Sequence, residues 1–136
     1  MKLVHLLSII MALSSICIGV AGCIKTLNIT SVPAIVFQKD LQSDEPQLVD
    51  VRTPKEYSES HIIGAVNIDV QSDDFKDKAL STLVKNNPVY VYCRSGKRSL
   101  QAAEILAREG YKVINLNGGI IEWTDNKLPV VSDSIQ

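Results

Sequence analysis

The sequence predicts an α/β domain built on a mainly parallel sheet. Three observations lead there. Short apolar runs alternate with helical segments from residue 29 onward. The runs at 47–51, 89–92 and 112–116 are nearly continuous in apolar character, as strands covered on both faces are. Glycine and proline stand between the segments, at Pro54, Gly64, Pro88, Gly110 and Gly118-Gly119, where the backbone must change direction.

Taken in order, Ser31 is a suitable N-cap for a helix over Val32 to Lys39, with Pro33 accommodated in the first turn. The polar stretch Gln42 to Pro46 is a loop, and Gln47 to Val51 is a buried strand. Thr53 and Pro54 open a short helix carrying Glu56 and Tyr57. Beyond Gly64, Ala65-Val66-Asn67-Ile68 is a brief strand. Residues 72–87 are polar around Phe75, Leu80, Leu83 and Val84, which suits one or two surface helices. Pro88 precedes the strand Val89 to Tyr92. A helix is expected from Ser99 to Glu109, with Leu100, Ala103, Ile105, Leu106 and Ala107 as its apolar positions and Gly110 as its stop. Lys112 to Leu116 forms the next strand, and Gly118-Gly119 leads into a last helix through Ile120, Ile121 and Trp123.

The chain has 136 residues, 46% hydrophobic and 21% charged, with a net charge of −1. That composition is globular, and the charge gives no general attraction to nucleic acid. The N-terminus, MKLVHLLSIIMALSSICIGVAGC, has a basic start at Lys2 and an apolar stretch from Leu3 to Ala21 that ends in small residues. This is a signal-peptide layout. Val20-Ala21-Gly22-Cys23 resembles a bacterial lipobox, which implies cleavage before Cys23, acylation of its thiol, export, and a lipid anchor on the periplasmic side of the envelope. A plain secretion signal or a retained membrane helix are the alternatives. Residues 1–22 are then a signal, 23–28 a linker and 29–136 the domain. That domain has about 110 residues, near the common size for a single core. With Cys17 removed and Cys23 lipidated, Cys93 is the one free thiol of the mature protein. No CxxC spacing points to zinc.

Residues 90–99 read YVYCRSGKRS. Cys93 ends a strand, and ligands of open α/β sheets bind beyond the carboxyl ends of strands. The N–H groups from Arg94 to Ser99 can curl into an anion-binding nest in front of a helix N-terminus. Gly96 permits the turn. Arg94, Lys97 and Arg98 add positive charge, so the group favours a Cys93 thiolate and a small anionic ligand.

Cys93-Arg94-Ser95-Gly96-Lys97-Arg98 resembles the active-site loop of single-domain rhodaneses, a sulfurtransferase family. Leu48-Val49-Asp50-Val51-Arg52 with Glu56-Tyr57, His61 to Ile68, and Leu116-Asn117-Gly118-Gly119-Ile120 with Trp123 resemble the family's other motifs, in the same order from about Ile29 to Val130. Ser60 stands where the family often has glycine. The resemblance implies a central sheet of four to five strands with helices on both faces. It implies a Cys93 thiolate that takes sulfur from a donor such as thiosulfate, holds it as a persulfide, and passes it to cyanide or a thiol. No metal or organic cofactor is needed, and nothing in the sequence demands more than a monomer.

Within that reading Arg94, Ser95, Gly96, Lys97, Arg98 and Ser99 form the substrate loop, with Arg98 open to a structural salt bridge instead. Asp50, Arg52, Glu56 and His61 are supporting residues: Asp50 orders loops through hydrogen bonds, Arg52 pairs with Glu56, and His61 is structural because a low-pKa thiolate requires no general base. Trp123 belongs to the core. Two other functions compete. A phosphatase or arsenate reductase shares fold and cysteine but places its arginine after five intervening residues, where only four separate Cys93 from Arg98. A non-catalytic rhodanese-like binding module would lack use for the cysteine and the basic loop.

Overall fold

The computed structural model describes residues 22, 26–43 and 45–133. Residues 1–21 of the signal-type segment, with Cys17, and the lipobox Cys23 lie outside the described residues. Among those described, no helix is long and apolar enough to cross a membrane.

The elements in chain order are β1 (Ile29–Val32), α1 (Ala34–Asp40), β2 (Gln47–Asp50), α2 (Pro54–Glu59), β3 (His61–Ile62), β4 (Val66–Asn67), α3 (Phe75–Thr82), β5 (Val89–Tyr92), α4 (Lys97–Arg108), β6 (Val113–Leu116), α5 (Gly119–Asp125) and β7 (Val130–Val131). Five strands form one sheet in the order β1-β6-β5-β2-β4, and every pairing in it is parallel. Strand β5, which delivers Cys93, therefore sits in the middle. Its four residues are all buried, which is why it reads as an unbroken apolar run.

Alternate residues of the strands supply two cores. Val49, Val51, Val89, Val91 and Val113 pack with Phe75, Ala79 and Leu83 of the α3 region and with Ala102, Ala103, Leu106 and Ala107 of α4. Leu48, Tyr90, Tyr92, Ile114 and Leu116 pack on the opposite face with Ala34 and Phe37 of α1 and Ile120 and Trp123 of α5. Helices thus cover both faces, as the sequence predicts. Phe37 is fully buried and meets Tyr90 and Trp123 edge-on, with ring centroids 5.5 and 6.4 Å apart. Burying a side chain of this size contributes about 1.5–3 kcal/mol.

The structure corrects several boundaries. Residues 29–32 form an edge strand rather than the approach to a Ser31-capped helix. Pairing with β6 decides this: Asn28 and Val32 carbonyls accept from Val113 and Asn117 N–H groups at 2.9 Å each. Pro33, in extended conformation, is the N-cap of α1, so it stands before the first turn and not in it. Helix α4 begins at Lys97, two residues before the expected Ser99, because Gly96 adopts φ 96° at its N-cap. Leu100 is exposed on this helix, and Ala102 takes the buried position in its place. The strand expected at 65–68 is shorter, at Val66–Asn67. The stretch 72–87 holds a single helix, α3, which buries Phe75 and Ala79. An antiparallel pair absent from the sequence reading joins β3 to β7, His61 facing Val131 and Ile62 facing Val130.

Candidate active site

Cys93 follows β5 directly, and residues 93–96 alone connect it to α4. Its side chain points to the same face as Val89 and Val91 and is buried, 1% exposed. The Gly96 N–H donates to Sγ at 3.1 Å, and the Ser99 hydroxyl lies 3.4 Å from it. Ser99 is itself fully buried, with the Gly96 carbonyl 3.1 Å from its Oγ. A hydroxyl has one proton, so Ser99 serves the carbonyl or the sulfur, and a thiolate draws it to the sulfur. Burial alone would push the Cys93 thiol up. Hydrogen bonds from the Ser99 hydroxyl and from the N–H groups of Ser99, Ser95 and Gly96 outweigh it, and the thiol titrates below its ordinary value. The sulfur therefore sits in a ring of donors and favours the form that attacks.

The ring keeps its shape because the start of α5 presses against it. Ile120 N–H donates to the Cys93 carbonyl at 2.9 Å and Ile121 N–H to the Arg94 carbonyl at 3.3 Å. This approach requires glycine twice. A Cβ on Gly96 would lie 2.0 Å from the Asn117 carbonyl oxygen, and one on Gly119, at φ 63°, would lie 2.3 Å from that of Arg94. The sequence reading assigned Gly118 and Gly119 to a turn. Their closeness to the cysteine loop has no local signal, since it depends on β5 and β6 being neighbours.

The charged residues divide into engaged and free. Arg98 leaves the loop and forms two bonds of 2.8 Å with the Glu56 carboxylate, taking the structural alternative. Glu56 also closes a capping box on α2, accepting from the Thr53 N–H at 3.0 Å and hydroxyl at 2.9 Å. Hydrogen bonding by Arg98 is the main cause that holds its carboxyl down at about 2. The expected Arg52–Glu56 pair is thus corrected: Arg52 pairs with Asp50 at 2.6 Å. Asp50 is fully buried and Arg52 nearly so. Arg52 also donates to the Ser60 carbonyl at 2.6 Å and through its own N–H to Asp50 at 2.9 Å. Neither residue reaches the cysteine; together they order the β2–α2 turn beside it. Ser60 has φ −166°, an extended backbone that any residue adopts.

His61 is buried. Its ring stacks on Tyr57 with centroids 3.8 Å apart, and Nδ1 lies 2.8 Å from the Tyr57 carbonyl. It braces α2 against β3, away from the sulfur ring. Trp123 is buried in the α1–α5 core and donates Nε1–H to the Pro129 carbonyl at 2.9 Å. Arg94, Ser95 and Lys97 are exposed, and among the described residues no ion pair engages Arg94 or Lys97. These two cations remain available to an incoming anion. Beside Arg94 opens a polar cleft of about 290 Å³ between α2 and α5.

Comparison with known proteins agrees with this arrangement. Residues 34–126 match the family described as Rhodanese-like domain. A protein named "Sulfurtransferase" from Allochromatium vinosum is 38% identical over 96 residues, covering 70% of this chain and 87% of its own length. "Thiosulfate sulfurtransferase PspE" from Escherichia coli is 36% identical over 88 residues, covering 64% of this chain and 82% of its own. The crystal structure of a rhodanese-like domain protein from Staphylococcus aureus superposes with a TM-score of 0.64 at 33% identity, over 76% of this chain and 99% of that one. The five-stranded parallel sheet, the cysteine loop at its centre and these similarities lead to one conclusion: the chain belongs to the rhodanese-like sulfurtransferase family.

Proposed function

We propose that this chain moves sulfane sulfur from an anionic donor such as thiosulfate to a nucleophilic acceptor, cyanide or a thiol, through a persulfide on Cys93. The Cys93 thiolate attacks the outer sulfur of thiosulfate. A new S–S bond forms, the donor's S–S bond breaks, and its electron pair leaves with sulfite. The acceptor then attacks the outer sulfur of the persulfide, and the electron pair of that bond returns to Cys93 as thiolate. Charge and electrons balance in both steps, so no redox cofactor enters.

The observation that carries this reading is the ring of donors around Sγ, with the Gly96 N–H at 3.1 Å and the buried Ser99 hydroxyl at 3.4 Å. Such a ring suits a sulfur anion one atom longer than the thiolate. Arg94 and Lys97 attract the donor. The engagement of Arg98 by Glu56 argues against the phosphatase reading, which needs that arginine on the oxyanion. Initial rates of thiocyanate formation, with thiosulfate and cyanide both varied, test the proposal. Parallel double-reciprocal lines, abolished in Cys93→Ser, are expected; intersecting lines would mean that donor and acceptor meet in one complex without a persulfide.

The location of the domain is a separate proposal that rests on residues 1–23 alone. The mature protein is held by lipid on Cys23 at the periplasmic side. Metabolic labelling with a radioactive fatty acid checks it: label on the wild type and none on Cys23→Ala is the expected result.

A further inference from the structure

Arg98 differs from the other cations of the cysteine loop in being held. Both of its terminal nitrogens donate to Glu56, Nη1 to Oε2 and Nη2 to Oε1, at 2.8 Å each. Glu56 is held in turn, since Oε2 also accepts from the Thr53 N–H at 3.0 Å and hydroxyl at 2.9 Å. These bonds fix the carboxylate where it occupies both prongs of the guanidinium. Arg98 is also close to the sulfur in the chain. It follows Gly96 by two residues and precedes Ser99, the two residues that contact Sγ at 3.1 and 3.4 Å. Glu56 is the main cause that keeps the guanidinium charged, and the charges of a Cys93 thiolate and of Asp69 add to it. Arg94 and Lys97, by contrast, are exposed, and among the described residues neither forms an ion pair.

A free guanidinium fork at this position would grip any tetrahedral oxyanion with two parallel hydrogen bonds. Such a grip would hinder sulfur transfer. Thiosulfate differs from sulfate and phosphate in its attackable outer sulfur and shares with them an oxyanion face. Sulfite, another oxyanion, must leave once the sulfur is taken. We propose that Glu56 sets the specificity of the site by withholding Arg98, so that inert oxyanions and the sulfite product bind weakly while Arg94 and Lys97 still draw anions in. The inference rests on the sulfur-transfer reading and adds the residue that keeps the anion site open to the donor. The Glu56 carboxyl is held down at about 2, chiefly by the bonds from Arg98, so the carboxylate stays charged and the hold persists through neutral pH.

The test follows alkylation of Cys93 by uncharged iodoacetamide in the unloaded protein at rising concentrations of inorganic phosphate. The concentration that halves the rate reports oxyanion binding at the cysteine loop, and changes in the thiol's own reactivity cancel from it. For Glu56→Gln that concentration is expected to fall about tenfold, the order of one charge-assisted hydrogen bond. Glu56→Gln/Arg98→Gln, which replaces the ion pair by two amides, is expected to match the wild type. Thr53→Ala disturbs the same helix start and keeps both partners of the pair; it is expected to lose stability without gaining affinity. Glu56→Asp keeps the charge and retracts it by one methylene, so a smaller gain is expected, and this variant carries the test if the glutamine variant does not fold. No gain at position 56, a gain that survives the loss of Arg98, or an equal gain in Thr53→Ala overturns the proposal.

A second readout requires no thiol chemistry. Phosphate titrated into Glu56→Gln is expected to shift the amide signals of Gly96 to Ser99 and to saturate them at lower concentration than in the wild type. Saturation at the same concentration overturns the proposal. A gain in oxyanion affinity in a protein that forms no persulfide would support the role of Glu56 and refute the transfer reading alone. No gain in a protein that does form the persulfide would refute the role of Glu56 alone.

Discussion

Arg98 and Glu56 stand 42 residues apart in sequence and meet in two hydrogen bonds of 2.8 Å. The pair ties the first turn of α4, which follows the cysteine loop, to the first turn of α2, which follows β2. Two loops at the carboxyl end of the sheet are thereby fixed to each other, and Arg98 of the expected substrate loop becomes architectural.

Glu56→Gln is expected to lower stability by about 1 kcal/mol, because the pair is partly exposed and screened by solvent. The pH dependence is more diagnostic. The carboxyl is held down at about 2 in the folded chain, so the unfolded chain binds the proton more readily. The contribution is complete above the ordinary carboxylate range and is lost as pH falls toward 2. Urea unfolding at pH 7 and pH 3 checks this: the wild type is expected to lose stability over that interval by more than Glu56→Gln does.

Asp50→Ala removes one partner of a buried ion pair and leaves Arg52, 4% exposed, without its counter-charge. A loss of about 3–5 kcal/mol is expected. Denaturant titration measures it, and a loss below 1 kcal/mol would remove Asp50 from the ordering of the β2–α2 turn.

Gly119→Ala places a methyl group 2.3 Å from the Arg94 carbonyl oxygen at a backbone φ of 63°. Strain of about 1–3 kcal/mol is expected, together with displacement of the cysteine loop. The alanine variant should therefore show a lower transition midpoint and reduced thiocyanate formation. Gly110→Ala is a useful control, since its φ is also positive and a Cβ there meets nothing within 4 Å; it should lose stability while keeping activity per folded molecule.

Ser99→Ala deletes the hydroxyl 3.4 Å from Cys93 Sγ. The hydroxyl favours the thiolate, so its loss raises the titration of the thiol. Iodoacetamide alkylation followed against pH is expected to shift its midpoint upward. About 1 kcal/mol of lost stabilisation corresponds to about a fivefold slower reaction below the midpoint. An unchanged profile would leave the backbone N–H groups as the sole donors that matter.

The central strands were legible because burial on both faces writes a continuous apolar run, as in β2 and β5. Thr53-Pro54 with Glu56 marked the start of α2 for a similar local reason. The misses came where distant pairing outweighs local preference. Ser31 has the chemistry of a cap, yet residues 29–32 become a strand because β6 lies open beside them. Strands β3 and β7 have two residues each and exist only through each other. At the site, Arg52 and Glu56 read as a pair between a loop and the helix after it. Arg52 turns back to Asp50 instead, and Glu56 folds back on Thr53 while both its carboxylate oxygens accept from Arg98. The cysteine loop itself was readable, since the glycine, the basic residues and the end of a buried strand fall within seven residues, 92–98. The glycine contact from α5 was not readable, because it depends on which elements become neighbours.

The most direct test of the account is an intact mass of a soluble protein of residues 25–136, the domain with part of its linker, after incubation with thiosulfate and removal of the excess, beside a Cys93→Ser control. The account predicts a gain of one sulfur on the native protein alone, discharged by cyanide. An unchanged mass, with Cys93 shown to be reduced and open to alkylation, would contradict persulfide formation from thiosulfate at this cysteine.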